Sequence, residues 1–384
     1  MLFNLLIGQA LRRWLRNMEA AERGGDVPSP QIPREHEPVV REVDEYSLAA
    51  DSVATKPAVE PESEEWVFPT VQRTAMGSLW EIYLVGTDRE QLVAAADEGL
   101  DEIERLDRQL SHYKDDSDIS RLNAHAGEQW VRLEPKLYFL LKRCVELSEM
   151  TGGAFDITSG PLTKAWGFFK GEKRIPPEDE VAAVMENVGA QRILFDDENW
   201  LVYFTRPEME INLGAIGKGY AIDEAVKTLR SFNVQNAVLH GGQSTIYAMG
   251  SPPEPVSSEL EDDFSPGWLF DIKDPRDRET VIQSVYLYDE ALSTSGSYED
   301  FFEVDGVRYS HIIDPRSGYP AKGMLSVSVI APNAADSDAL STAFFVMGVG
   351  AAEEFCKSHP ELRVIIVESV AEGDIRVTRI GFDP

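Results

Sequence analysis

The chain has 384 residues, with 67 Asp and Glu against 36 Lys and Arg, a formal charge of −31 at neutral pH. A field this negative repels nucleic-acid backbones and anionic membranes, so neither is an expected partner. Hydrophobic residues make up 43%, enough for a large core. The two cysteines, Cys144 and Cys356, lie in apolar, helix-like contexts that fit buried free thiols and not a disulfide framework or a Cys-x-x-Cys metal site.

Residues 1–20 form an amphipathic segment carrying Arg12, Arg13 and Arg16. Its apolar run is too short to span a bilayer. Neither a small-residue cleavage site nor an early cysteine follows, so no signal peptide or lipoprotein anchor is expected. The expected location is cytoplasmic or peripheral to a membrane, with no transmembrane segment. Residues 21–65 are rich in Pro, Glu and Ser, with Pro28, Pro30, Pro33, Pro38, Pro57 and Pro61. Such a composition cannot bury enough apolar surface to order itself and reads as a disordered linker.

Folded sequence begins near Trp66. Leu79–Val85 reads as a strand. Thr87 with Glu90 has the spacing of a capping box before a helix whose apolar face is Leu92, Ala96, Leu100, Ile103, Leu106 and Leu110. A second helix carries Leu137, Leu140, Leu141, Val145 and Leu147 and stops at Gly152-Gly153. A third begins near Lys218, with Ala221, Ala225, Val226 and Leu229 on its apolar face. Strands are predicted at 237–239, 268–272, 285–287 and 326–331. Helices at 336–347 and 351–357 follow, then strands at 363–367 and near 375–380. The alternation is uneven and lacks regular βαβ spacing. It predicts an α+β fold, a single compact domain of mixed sheets with packed helices over residues 66–384.

Polar and glycine-bearing segments interrupt this scaffold, and each alone has an ordinary reading as a turn, a cap or core. Met76-Gly77-Ser78 opens the first strand. Tyr113, within Ser111–Asn123, offers a ring for stacking and a hydroxyl. Gly153-Ala154-Phe155-Asp156-Ile157-Thr158 could bring amides and a carboxylate to a cleft. Asn212–Tyr220 is a glycine-rich turn opening a helix, where free amides and Lys218 suit an anion. Its spacing is neither that of a Walker loop nor that of a dinucleotide fingerprint. His240-Gly241-Gly242 and Ser293–Ser297 end strands. His311–Gly318 is a polar turn. Asp338 and Thr342 are four residues apart and share one helix face. A carboxylate and a hydroxyl there suit a hard cation, and the cation a phosphate.

In this order the segments resemble the ApbE family of flavin transferases. Eight motifs match between about 76 and 345: Met76-Gly77-Ser78, Tyr113 to Asn123, Gly153 to Thr158, Asn212 to Tyr220, Gly241-Gly242, Ser293 to Gly296, His311 to Gly318, and Ser337-Asp338 to Thr342. The resemblance implies FAD as substrate, Mg²⁺ or alternatively Mn²⁺ as cofactor, and transfer of the FMN half of FAD to a Thr or Ser hydroxyl of a target flavoprotein, with release of AMP. The expected acceptor carries a Ser/Thr-Gly-Ala-Thr-like motif. Residue by residue, Asp338, Thr342 and Ala215 would hold the metal, with Ser341 where some members place a further carboxylate. Met76, Tyr113, Ala154, Phe155, Asp156, Asn212, Lys218 and Ile313 would line the FAD pocket, with Ser295 and Gly296 as further candidates. Removal of the acceptor proton falls to His311 or a nearby Asp, so His311 and Asp338 are the catalytic candidates. Asn212 stands where the family usually has Asp, and Gln243-Ser244 after the glycine pair also departs from the pattern. The alternatives are an FAD pyrophosphatase yielding FMN and AMP, and a non-catalytic flavin-binding module.

Overall fold

The structure is a computed structural model that describes residues 66–242, 244–253, 267–277, 279–370 and 373–382. The amphipathic segment 1–20, the linker 21–65 and Gln243 lie outside the described residues.

The framework is an eight-stranded sheet: β1 (Thr70–Ala75), β2 (Ser78–Val85), β3 (Asn236–Gly241), β4 (Thr245–Met249), β5 (Glu290–Gly296), β6 (Met324–Ala331), β7 (Arg363–Ser369) and β8 (Ile375–Ile380). The strands lie side by side in chain order, and every neighbouring pair is antiparallel. Both faces are buried. In β2, Ile82 and Leu84 join one apolar cluster while Tyr83 and Val85 join another, as the period of two requires. This is why the predicted strand is almost continuously apolar.

Helices cover the first face: α1 (Arg89–Leu110), α2 (Pro135–Met150), α3 (Gly217–Ser231), α4 (Ala334–Met347) and α5 (Val349–Cys356). Leu100 and Ile103 of α1, Ala225 and Leu229 of α3 and Leu340 and Phe344 of α4 pack into the cluster with Leu84, Leu239 and Val329. A hairpin of Trp268–Lys273 and Val281–Leu287 covers the second face. It sends Trp268, Phe270 and Ile272 inward, and the Trp268 indole N–H is satisfied by the Met249 carbonyl at 2.9 Å.

The predicted strands and long helices are present, and the fold is the expected α+β. One local expectation is corrected. The first helix is capped by Asp88, whose carboxylate accepts from the Gln91 amide at 3.0 Å. Thr87 is not the cap. The carboxylate one residue later is the stronger acceptor, and it moves the helix start so that Glu90 no longer stands three residues from the cap. The second helix ends as predicted: Gly152 and Gly153 take φ of 59° and 78°, and the Gly153 amide closes on the Ser148 carbonyl at 2.8 Å.

Helix α4 is tied to α3 at its first turn. The Asp223 carboxylate accepts from the Ala334 and Ala335 amides at 2.8 and 2.9 Å. Burial is the dominant influence on Asp223 and pushes its pKa from 3.8 up to about 6. The folded state therefore binds this proton more tightly than the unfolded state. The contribution favours folding below pH 4 and is lost as pH rises through 6, a change of about 3 kcal/mol at most. Denaturant melts at pH 4 and pH 7 are expected to show wild type losing stability relative to Asp223→Asn over that interval.

Candidate functional site

A cavity of about 310 Å³ opens where the start of α3, the end of β5 and one face of α4 converge. On α4, Asp338 and Thr342 face it one turn apart, as their spacing predicts. Asp338 is only 6% exposed. One carboxylate oxygen accepts from the Gly219 amide at 3.0 Å, the other from the Thr245 hydroxyl at 3.3 Å. Burial pushes the Asp338 carboxyl up. The Lys218 charge and these two donors pull it back.

Ser295 of β5 completes this wall. Its hydroxyl lies 2.8 Å from that of Ser341 and 3.0 Å from that of Thr342. Ser341 is fully buried behind the wall, and its hydroxyl donates to the Asp338 carbonyl at 2.8 Å. It therefore backs Ser295 and does not line the cavity itself. Gly296 closes the strand end beside it.

The turn before α3 is held from outside. The side-chain amide of Asn123 grips both the N–H and the C=O of Ile211, at 2.8 and 3.0 Å. Asn212 then accepts from the Gly214 amide at 2.8 Å through Oδ1. An Asn supplies that acceptor as well as an Asp would, so the departure from the family pattern costs this turn nothing. Ala215 and Lys218 follow on the cavity wall, with the Lys218 ammonium donating to the Ser244 hydroxyl.

Ala154, Phe155 and Asp156 also line the cavity. Asp156 is engaged by the protein: one oxygen accepts from the Thr158 amide and hydroxyl at 2.8 and 2.6 Å, the other from the Ala190 amide at 2.8 Å. Burial raises its pKa against these bonds. Asp156→Ala leaves buried donors unpaired and is expected to destabilise the fold by about 2–4 kcal/mol, readable in a denaturant melt.

His311 and Ile313 enter from the polar turn. The His311 Nδ1 lies 3.0 Å from the Asp300 carbonyl. A carbonyl only accepts, so Nδ1 carries the hydrogen and a neutral ring keeps its lone pair on Nε2. Ile313 is anchored in an apolar cluster with Leu162, Trp166 and Val188. Tyr113 lines the mouth at 50% exposure. Met76 stands in an adjoining cleft that shares Tyr113 and Lys218 with the cavity. It takes φ of 49° before Gly77 at 69°, both residues of a two-residue hairpin turn being left-handed.

The cavity residues not foreseen include three aromatic rings, His112, Phe168 and Phe169. The run Trp166-Gly167-Phe168-Phe169 is an aromatic signal that could have found two of them. The Gly241-Gly242 segment does not reach the cavity. His240 is buried on β3 against Glu81 across the ladder, Nε2 to carboxylate oxygen 2.6 Å.

Among the described residues, no three His, Cys, Asp or Glu side chains gather as a metal cage. The donors near Asp338 are one carboxylate and the hydroxyls of Thr342 and Ser295, all hard oxygens. Such an incomplete set fits Mg²⁺, which keeps part of its shell for water and substrate phosphate. Among the described residues no helix is long and apolar enough to cross a membrane.

The sequence profile of the ApbE family matches residues 76–366. The chain belongs to the ApbE family. Curated ApbE relatives named FAD:protein FMN transferase, a transferase activity, include one from Klebsiella pneumoniae, 27% identical over 82% of this chain and 89% of its own length. One from Treponema pallidum is 34% identical over 66% of this chain and 72% of its own length. Among solved structures, the ApbE protein of Thermotoga maritima superposes with a TM-score of 0.69 at 32% identity, covering 81% of this chain and 96% of that one. The ApbE flavinyl transferase of Pseudomonas stutzeri, solved in an apo form, superposes at 0.72 with 26% identity, covering 84% and 100%.

Proposed function

We propose that this chain transfers the FMN moiety of FAD to a Ser or Thr hydroxyl of a target flavoprotein, releasing AMP, and that residues 66–384 form the domain that does so. The observation that carries the reading is the wall of Asp338, Thr342, Ser295 and Lys218. These residues come from three separate segments, α4, β5 and the start of α3, onto one cavity, in a chain whose curated relatives are named for this transfer.

The site would bind the dinucleotide along that wall. Asp338 and Thr342, with Ala215, would hold Mg²⁺, or alternatively Mn²⁺. When bound, the cation neutralises pyrophosphate charge and favours departure of AMP. Lys218 supplies a fixed positive charge on the same wall. His311 presents Nε2 as the base. The acceptor oxygen bonds to the phosphorus of the FMN half, the bond from that phosphorus to the oxygen of AMP breaks, and the hydroxyl proton passes to His311. Tyr113 at the mouth restricts the entry of water and so favours a protein hydroxyl as the acceptor.

The test is incubation with FAD and Mg²⁺, with and without a flavoprotein fragment bearing a Ser/Thr-Gly-Ala-Thr acceptor. A fluorescent acceptor band on a denaturing gel, together with AMP, is the expected result. Free FMN and AMP without a band would mean hydrolysis. Bound FAD with neither product would reduce the site to a flavin-binding module.

A further inference from the structure

His112 is the cavity residue with the least settled chemistry. Its Nε2 is buried and makes no hydrogen bond, a state that costs about 1–3 kcal/mol when nothing offsets it. The imidazole lines the main cavity and both cavities beside it. Its ring lies 4.1 Å from Tyr113 and 5.0 Å from Phe169, and Tyr113 and Phe169 stack at 4.9 Å with 24° between planes.

The covering ring is not a core residue. Phe168 packs against the Leu162–Trp166 cluster, whereas Phe169 belongs to no apolar cluster among the described residues. Phe169 is held instead by the ammonium groups of Lys164 and Lys170, 5.2 and 5.3 Å from its centre. Such contacts at exposed sites are worth about 0.5–1 kcal/mol each. Burial, with the nearby Lys164 and Lys170 charges, holds the His112 pKa down at about 4. Near neutral pH the ring is therefore uncharged, and Nε2 donates or accepts according to tautomer.

We propose that a planar heteroaromatic ring of the bound dinucleotide replaces Phe169 on the face of Tyr113 and that its polar edge hydrogen-bonds His112 Nε2. This rests on the flavin reading above and adds a specificity-determining residue to it. FAD carries two such rings, the isoalloxazine and the adenine, and FMN and AMP separate them.

The experiment measures FAD, FMN and AMP affinity by titration calorimetry in Mg²⁺ buffer, with flavin fluorescence as a second readout. His112→Phe keeps an aromatic ring but removes the nitrogen. It is expected to weaken FAD about tenfold, the loss of one buried hydrogen bond to a ligand, without lowering the melting temperature. A matching loss for FMN alone assigns the isoalloxazine, and for AMP alone the adenine. His112→Gln, which places an amide near the Nε2 position, is expected to recover part of the loss. Phe169→Ala uncovers Tyr113 in advance and is expected to bind at least as tightly as wild type. Unchanged FAD affinity in His112→Phe, or equal losses for FMN and AMP, overturns the edge contact. Weaker binding by Phe169→Ala overturns the exchange of rings. If wild type binds none of the three, it is the flavin reading itself that fails.

Discussion

Asp338→Asn is expected to lower FMN transfer about 10³-fold while raising the thermal stability of the metal-free protein. The two effects have one cause. Asp338 is a nearly buried carboxylate whose charge is offset only by Lys218, the Gly219 amide and the Thr245 hydroxyl. A desolvated charge opposes folding, so an amide of the same shape that still accepts from Gly219 relieves roughly 1 kcal/mol or more. The same substitution removes the one negative charge among Asp338, Thr342 and Ala215, the residues proposed to hold the cation. Loss of such transition-state charge stabilisation carries about this rate penalty. The two arms are measured separately, as AMP release and as a melting curve. Mg²⁺ is expected to raise the melting temperature of wild type and not of Asp338→Asn, since a ligand stabilises only the state that binds it. Equal Mg²⁺ responses in both proteins would remove Asp338 from the metal site.

Gly219→Ala is expected to be the most damaging single methyl addition in the site. A Cβ at this position would meet the Ala334 carbonyl oxygen at 2.1 Å and its carbon at 2.5 Å. Both are backbone atoms at the first turn of α4, so no side-chain rotation relieves the clash. Helices α3 and α4 must part, and the Gly219 amide then leaves the Asp338 carboxylate. Overpacking against backbone costs about 3 kcal/mol or more, which in a chain of this size lowers the melting temperature by roughly 5 °C or more. Transfer activity at a temperature where the variant stays folded should also fall, because Asp338 loses its orientation. A variant with full stability would show that the two helices tolerate separation.

The positions around this contact were the most legible part of the chain. Gly-Lys-Gly at a helix start and Asp-x-x-x-Thr on a helix face are short-range patterns whose geometry follows from 3.6 residues per turn, and the structure puts both on one cavity. The order of the segments carried the rest, since it tied positions more than 250 residues apart to one family. Periodicity alone could not have done so. What was illegible has physical reasons. Thr245–Met249 is buried at every residue, so it shows no apolar–polar alternation to mark a strand. The helices Asp118–His125 and Glu178–Met185 are too short to display a helical period. Asp156 and Ser341 read as ligand-facing, yet their oxygens are taken by protein groups, and a partner distant in sequence, such as Ala190 or Ser295, leaves no local trace. His112 lay next to a motif residue without belonging to the motif.

The sheet runs in chain order, but its connections are very unequal. β1 and β2 are joined by the two-residue turn at Met76-Gly77, whereas β2 reaches β3 only after about 150 residues that supply α1, α2 and α3. Closing that loop costs about 3 kcal/mol more entropy than closing a hairpin. The β1–β2 hairpin is thus a terminal flap that can join the sheet after the remaining six strands have paired. Its outer strand β1, an alternately exposed edge, should exchange its amide hydrogens ahead of the buried β2. Met76 rides on the tip of this flap, so one edge of the ligand cleft would be set by the last step of folding.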